Sequence, residues 1–273
     1  MLRKLHKKIG MIRKLLAIGA NPSSQINLVG QLLVLSIGRY VGFNKRPFST
    51  CVRVGKNTSY MHFTGTMGEL LTLVDIFADK SYEPDRTAEK ALFPAGPKTI
   101  LDLGANIGIA SVWFLLTYPG CKLHAYEPNF DMFALLKDNL SQFPNAKVYE
   151  EAIAGTEGTV MFNKSAYSLE SSIFDARESQ SLSVHAITLD QAIERLGGSI
   201  DVLKIDIEGA EFDAFGSSRK LGFIKAIVGE AHTEQSGHLQ EELSDLLSSF
   251  SVVKIYNPNN DTVFGLYAAR VAI

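Results

Sequence analysis

Two short stretches carry acids and bases at spacings that could do chemistry. In "DVLKIDIEGAE", residues 201 to 211, Lys204, Asp206 and Glu208 stand two apart; in "GEAH", 229 to 232, so do Glu230 and His232. In an extended chain, residues two apart point the same way. If the two stretches are neighbouring strands, their carboxyl ends converge. A histidine titrates near neutral pH, and an imidazole or carboxylate within reach of an attacking hydroxyl can accept its proton as the new bond forms. Asp206 could be that base or could hold a ligand's ammonium group. Three carboxylates and a histidine could also hold Mg²⁺, but no metal motif compels this and no metal is assigned. Plainer roles remain open: Lys204 and Glu208 as an ion pair, Glu211 as a carboxylate favoured by a helix N-terminus, and His232 as an exposed loop residue.

A second signal lies upstream in "TILDLGANIGIASVWFLLTYPG", residues 99 to 120. An apolar run that reads as a buried strand breaks at Gly104-Ala105-Asn106, meets Gly108, and turns helical. A dinucleotide site would read G-x-G-x-x-G, with its middle glycine letting the backbone approach a pyrophosphate. Here Asn106 holds that middle position, so a ligand without phosphates fits better. S-adenosylmethionine is such a ligand: glycines 104 and 108 let the backbone approach it, and the helix N-terminus faces its carboxylate. Glu127 ends the next strand, 23 residues after Gly104, where a carboxylate can accept hydrogen bonds from both hydroxyls of a ribose. The plain alternative is a tight strand-to-helix turn with Glu127 solvated.

These residues need a scaffold. From about residue 80, strands alternate with helices: "TILDLG", a helix from about 107 to 117, "CKLHAYE", a helix capped by Asn129, and "KVYEEAI". A less regular excursion over "TVMFN", "SAYSLESSIFDARESQS" and "LSVHAITLD" follows. Then come "DVLKID", a helix starting near Glu208, "KAIVGE", the helix "HLQEELSDLLSSF", and two strands joined through "NPNND". Such alternation implies a doubly wound, mostly parallel sheet with helices on both faces, closed by an antiparallel C-terminal strand. Ligands bind such sheets beyond the carboxyl ends of the strands, where strand order reverses. Function should therefore gather at Gly104, Glu127, Glu151, Asp206 and Glu230. His124 and His185 fall inside strands and read as structural. Ser171 and Ser172, in the excursion, could bind a polyol or simply be solvated.

The chain's 273 residues suffice for one large domain plus an extension, and 46% hydrophobic with 21% charged residues is ordinary for a globular protein. The two cysteines, 51 and 121, give no disulfide framework, as expected of a reducing compartment and a cytoplasmic protein. The net charge of −2 hides a split: residues 1 to 68 contain eleven Lys and Arg and no acid. Subtracting those eleven from 27 leaves 16 basic against 29 acidic residues in 69–273, a balance of −13. The division predicted is a basic N-terminal extension over 1–79 and a catalytic body over 80–273. Leu2, Leu5, Ile9, Ile12 and Leu16 form one predicted helical face, with most basic residues on the others. Such a helix, residues 1–18, either lies on an anionic membrane or packs on its own domain or a second subunit. "SQINLVGQLLVLSIGRYVGF" reads as a second helix, buried or interfacial, whose apolar part is too short to span a bilayer. "CVRVGKNTSYMHFTG" reads as a hairpin. Nucleic acid is not an expected partner, because the acidic body would repel phosphates.

Taken together, "LDLGANIGIAS", "HAYEPN", "EAIAG", the pair Ser171-Ser172, "ITLD", "DVLKIDIEGAE" and "GEAH" make the sequence resemble the FkbM family of S-adenosylmethionine-dependent methyltransferases, over roughly residues 80 to 235. The resemblance implies a Rossmann-like class I methyltransferase fold and methylation of a hydroxyl on a sugar, glycan or related metabolite. It implies that Asp102, Gly104, Ala105, Asn106, Gly108, Glu127 and Pro128 surround the cofactor, with Glu151 and Ala152 near the adenine. The segment from Asp206, with Lys204, Glu208 and His232, would face the reaction centre. Two other readings compete: a non-catalytic module of the same fold docking on a membrane or complex, and a nicotinamide-dependent oxidoreductase, which Asn106 disfavours.

Overall fold

The computed structural model describes residues 2–38, 45–164, 180–233, 240–256 and 263–271. The serines at 171 and 172, most of the Ser-rich stretch and the "NPNND" connection lie outside them, as does "RYVGF" after the second helix.

A seven-stranded sheet organises the chain, in the order β11-β12-β10-β9-β3-β4-β5. Its strands are β3 Thr99–Leu103, β4 Lys122–Tyr126, β5 Ala146–Tyr149, β9 Ile200–Ile205, β10 Ile224–His232, β11 Val252–Tyr256 and β12 Val263–Ala269. The five from β5 to β10 run parallel; β12 pairs antiparallel with both β10 and β11. From β3 the chain moves outward through β4 to β5, then returns to the other side of β3 as β9 and β10. The order reverses between β3 and β9, so their carboxyl ends open a crevice. The central strands are buried on both faces and read as unbroken apolar runs, such as Ile200–Ile205. Helix α5, Ile109–Thr117, is buried over eight of its nine residues, because the sheet covers one side and the N-terminal elements the other.

"KVYEEAI" does not form one strand. It splits at Glu150-Glu151 into β5 and the two-residue β6, Ala152–Ile153. β6 joins a second sheet, β6-β8-β7, with β7 Gly158–Lys164 and β8 Gln180–Ile187. The break turns the chain at the carboxyl edge and brings Glu151 and Ala152 to the crevice.

Helices α1 Leu2–Ile18 and α2 Pro22–Gly38 precede the expected hairpin, β1 Phe48–Val54 with β2 Asn57–Phe63. Then α3, Met67–Val74, runs into a π-helical turn over Asp75–Asp79. Glu69, the first acid in the chain, is buried and accepts the N–H groups of Thr64, Gly65 and Thr66, which fixes the start of α3. Leu15, Phe63 and Leu70 share one apolar cluster with Ile100, Trp113 and Leu136. The buried stripe of α1 differs from the one its leucines predict: Leu15 and Ile18 are buried, whereas Ile9 and Leu16 face solvent.

Candidate active site

The first strand-to-helix turn is shaped by backbone contact. Gly104 has φ +76°, and a Cβ there would lie 1.8 Å from the carbonyl oxygen of Asp206. Only glycine allows the ends of β3 and β9 to approach this closely. Asn106 also has positive φ, +50°, a conformation asparagine tolerates better than most residues.

Glu127, at the end of β4, is 6% exposed. One carboxylate oxygen accepts the N–H of Asn106 and the other that of Asn129, both at 2.8 Å. It therefore ties the glycine turn to the start of α6, Phe130–Leu140, whose N-cap is Asn129 as predicted. Burial pushes Glu127 up to about 7, although these N–H bonds favour the anion.

Lys204 is buried in β9. Its Nζ reaches Asp102 Oδ1 at 3.2 Å and donates to the carbonyls of Leu103 and Gly104 at 3.3 and 2.7 Å. Asp102 also accepts from Ser111 at 2.5 Å. The lysine thus pairs with Asp102, not with Glu208, and pins β9 to the end of β3. Burial opposes its charge, but the Asp102 and Asp206 carboxylates outweigh this and raise its pKa.

Beyond β9 the chain carries Glu208 at φ +55°. A non-glycine residue in this region is strained, and such strain concentrates at functional sites. Glu211, fully buried at the start of helix α8, Glu211–Ser217, accepts the N–H groups of Ile207 and Gly209. The Nδ1 of His232 donates to the same carboxylate at 3.2 Å, while Nε2 lies 3.4 Å from Glu208 and 4.0 Å from Asp206. Burial disfavours the charged ring, yet the Glu211 hydrogen bond and the surrounding carboxylates push His232 up to about 10. It is a cation at neutral pH, not the neutral base its intrinsic pKa implies. Burial and the charge of Asp206 push Glu208 up to about 9 and Glu230 to about 7.

Asp206, Glu208 and Glu230 border a cavity of about 570 Å³, within the usual range for small-molecule sites. Of the residues expected at a site, Gly104, Ala105, Asn106, Glu127, Pro128, Glu151, Ala152, Lys204, Asp206 and Glu208 line it. Asp102, Gly108 and His232 stand behind that wall: a Cβ on Gly108 would press on Leu136 at 2.9 Å. Glu151 is ion-paired with Arg195. His124 is buried in β4, and burial lowers its pKa to about 4.

The N-terminal segment supplies a further wall, whose residues the sequence does not single out. Met11, Lys14, Leu71, Thr72, Asp75 and Tyr82 border the cavity. Tyr82 donates from its hydroxyl to Asp206 at 3.2 Å, and its ring lies 5.6 Å from the Lys204 ammonium. No motif or spacing marks these residues.

Asp206, Glu211 and His232 bring one ligand-type atom each within 4.8 Å of one another. The hydrogen bonds of Glu211 are directed inward, since both its oxygens hold backbone N–H groups and His232, whereas Asp206 accepts from Tyr82.

A parallel sheet of this order, with a glycine turn after its first central strand and an acid closing the next, has the architecture of a class I S-adenosylmethionine-dependent methyltransferase. The methyltransferase FkbM domain matches residues 102–252, and the chain belongs to that family. It is accordingly an S-adenosylmethionine-dependent methyltransferase, and the phosphate-free glycine turn with Glu127 in the cavity wall fits that cofactor. The chain is 26% identical over 176 residues to the 2-O-methyltransferase NoeI of Sinorhizobium fredii, covering 56% of this chain and 72% of that protein. Among solved structures, a fibrillarin/Nop5p complex matches with TM-score 0.43 and 14% identity, over 73% of this chain and 80% of that one. The precorrin-6y C5,15-methyltransferase of Geobacter metallireducens matches with TM-score 0.41 and 15% identity, over 76% and 90%.

Proposed function

We propose that the methyl acceptor is a hydroxyl of a sugar, glycan or related small polyol, and that the acidic end of the cavity takes up its proton. The observation carrying this reading is that Asp206, Glu208 and Glu230 border the same cavity as the glycine turn and Glu127. Similarity to a 2-O-methyltransferase supports it.

Bound S-adenosylmethionine supplies an electrophilic methyl group on a positively charged sulfur. Glu127 would accept hydrogen bonds from its ribose hydroxyls, and Glu151 and Ala152 would border its adenine. Asp206, held by the Tyr82 hydroxyl, sits where the crevice opens and orients the acceptor. Alignment of the acceptor oxygen behind the methyl carbon is the larger part of the catalysis. As the oxygen–carbon bond forms and the carbon–sulfur bond breaks, the hydroxyl proton passes to Glu230. Of the crowded acids, Glu230 titrates closest to working pH, which suits a general base. Glu208 retains its proton at neutral pH and donates to the acceptor. Lys204 in the cavity wall and His232 behind it act as fixed cations that limit repulsion among the acids.

The test is S-adenosylhomocysteine formation across hydroxyl-, amine- and carboxylate-bearing acceptors, with the methylated atom located by NMR. Transfer to oxygen, reduced at least a hundredfold in Asp206→Asn with cofactor affinity retained, is the expected result (about 2.7 kcal/mol of barrier). Methylation confined to nitrogen or carbon would refute it.

A further inference from the structure

Helix α2 contains no charged residue. One face, Leu28, Gln31 and Leu35, is buried against the protein, yet the opposite face is also apolar. Ile26, Leu33 and Ile37 are 72%, 55% and 64% exposed, and their spacing of seven and four residues puts them on one stripe. A helix apolar all round is normally covered all round. Helix α1 packs beside α2 and contains six Lys and Arg and no acid. It also turns Ile9 and Leu16, seven residues apart, towards solvent. Met11 and Lys14 of the same helix border the cavity, as does Leu71, itself more than half exposed.

From this juxtaposition we infer that the α1–α2 hairpin docks on an anionic lipid surface. The exposed stripe of α2 enters the headgroup boundary, and the exposed Lys8 and Arg13 of α1 hold the anionic headgroups. Apolar insertion combined with cationic attraction is the physical basis of interfacial binding. Charge decides between a bilayer and a second copy of the chain. Residues 1–68 hold eleven basic residues and no acid, so a copy presenting the same face would repel its mate, whereas anionic headgroups attract it. No helix among the described residues is long and apolar enough to cross a membrane, so the contact lies in the interface plane. Docking would also bring the cavity wall contributed by α1 next to the headgroup layer.

The test uses the full chain and vesicles of phosphatidylcholine alone or mixed with phosphatidylglycerol, read by co-sedimentation. Wild type is expected to bind the mixed vesicles, and less so as salt is raised. Ile26→Ser/Leu33→Ser/Ile37→Ser should lower the partition coefficient on the order of a hundredfold. Lys8→Glu/Arg13→Glu should lower it by about fivefold per positive charge removed. All five side chains are exposed and outside the cavity wall, so both variants should keep the wild-type affinity for S-adenosylhomocysteine, which verifies folding. The readout involves no turnover, so it stands or falls separately from the acceptor assignment. Equal vesicle binding by the triple-serine variant, or no preference for phosphatidylglycerol, overturns the inference. So does a wild-type dimer in sedimentation velocity that the serine variant abolishes while neither protein binds vesicles; a second copy then covers the stripe.

Discussion

Glu127→Gln is the substitution that bears hardest on the cofactor assignment. The native carboxylate accepts N–H groups on both oxygens, from Asn106 and Asn129. In the cofactor site proposed above it would also take the ribose hydroxyls. A glutamine offers one acceptor and one donor, so its NH₂ faces either a backbone N–H or a ribose hydroxyl that must then reverse its bond. A hydrogen bond to a charged group contributes about 1.5–3 kcal/mol, so the variant should bind S-adenosylhomocysteine about 10- to 150-fold more weakly at pH 8. Burial sets a pH signature as well. With Glu127 pushed up to about 7, the anion is the minor form at pH 6, and wild-type affinity should fall by up to about tenfold per pH unit below 7. In the glutamine variant that component disappears, leaving only what Glu230 contributes from the far end of the cavity. Isothermal titration at three pH values measures both. A variant dissociation constant within about threefold of wild type, or a pH slope as steep as wild type's, would refute the reasoning.

Lys204→Met should destabilise the fold by about 3–5 kcal/mol in urea unfolding, because Asp102 is left as an uncompensated buried charge. A loss under 1 kcal/mol would show that the pair is dispensable. Gly104→Ala should prevent accumulation of folded protein, since no rotamer change moves the Asp206 carbonyl out of the way; a near-native melting temperature would contradict that. The pH dependence of the cofactor-free protein follows from four groups. Glu127, Glu208, Glu230 and His232 all titrate above their ordinary values. Each therefore contributes stability that is fully present below its unfolded pKa and lost as pH rises through about 7 for Glu127 and Glu230, 9 for Glu208 and 10 for His232. Melting temperature should fall between pH 6 and 10, and a rise would reverse the sign of the electrostatics. Exhaustive EDTA treatment should leave turnover within about twofold, because the hydrogen bonds of Glu211 already close the Asp206–Glu211–His232 trio; loss of activity restored by Mg²⁺ would assign those residues to a metal instead.

What the sequence discloses about this site depends on whether position along a strand determines position in space. Gly104, Glu127 and Asp206 end neighbouring strands of one parallel sheet, so alternation and strand-end position alone bring them together. Period two correctly separates Lys204 and Asp206 from their neighbours, but it cannot reveal that Lys204 is buried and directed at Asp102. That depends on the register of β3 against β9, in which Asp102 stands opposite Lys204. Nor does intrinsic pKa survive assembly. His232 appears suited to be a base in isolation, but packed against Glu211, Glu208 and Asp206 it becomes a standing cation, and the poised acid is Glu230 on the same strand. Tyr82 illustrates the remaining loss. It reaches Asp206 across 124 residues of sequence, on a connection between the π-helical turn and α4, Arg86–Leu92, with neither periodicity nor motif to mark it. The N-terminal wall of the cavity, which we assign to the acceptor, is built from such contacts. Substitutions in α1, α3 and Tyr82 should therefore alter acceptor preference, while cofactor affinity, which we assign to the strand ends, stays unaffected.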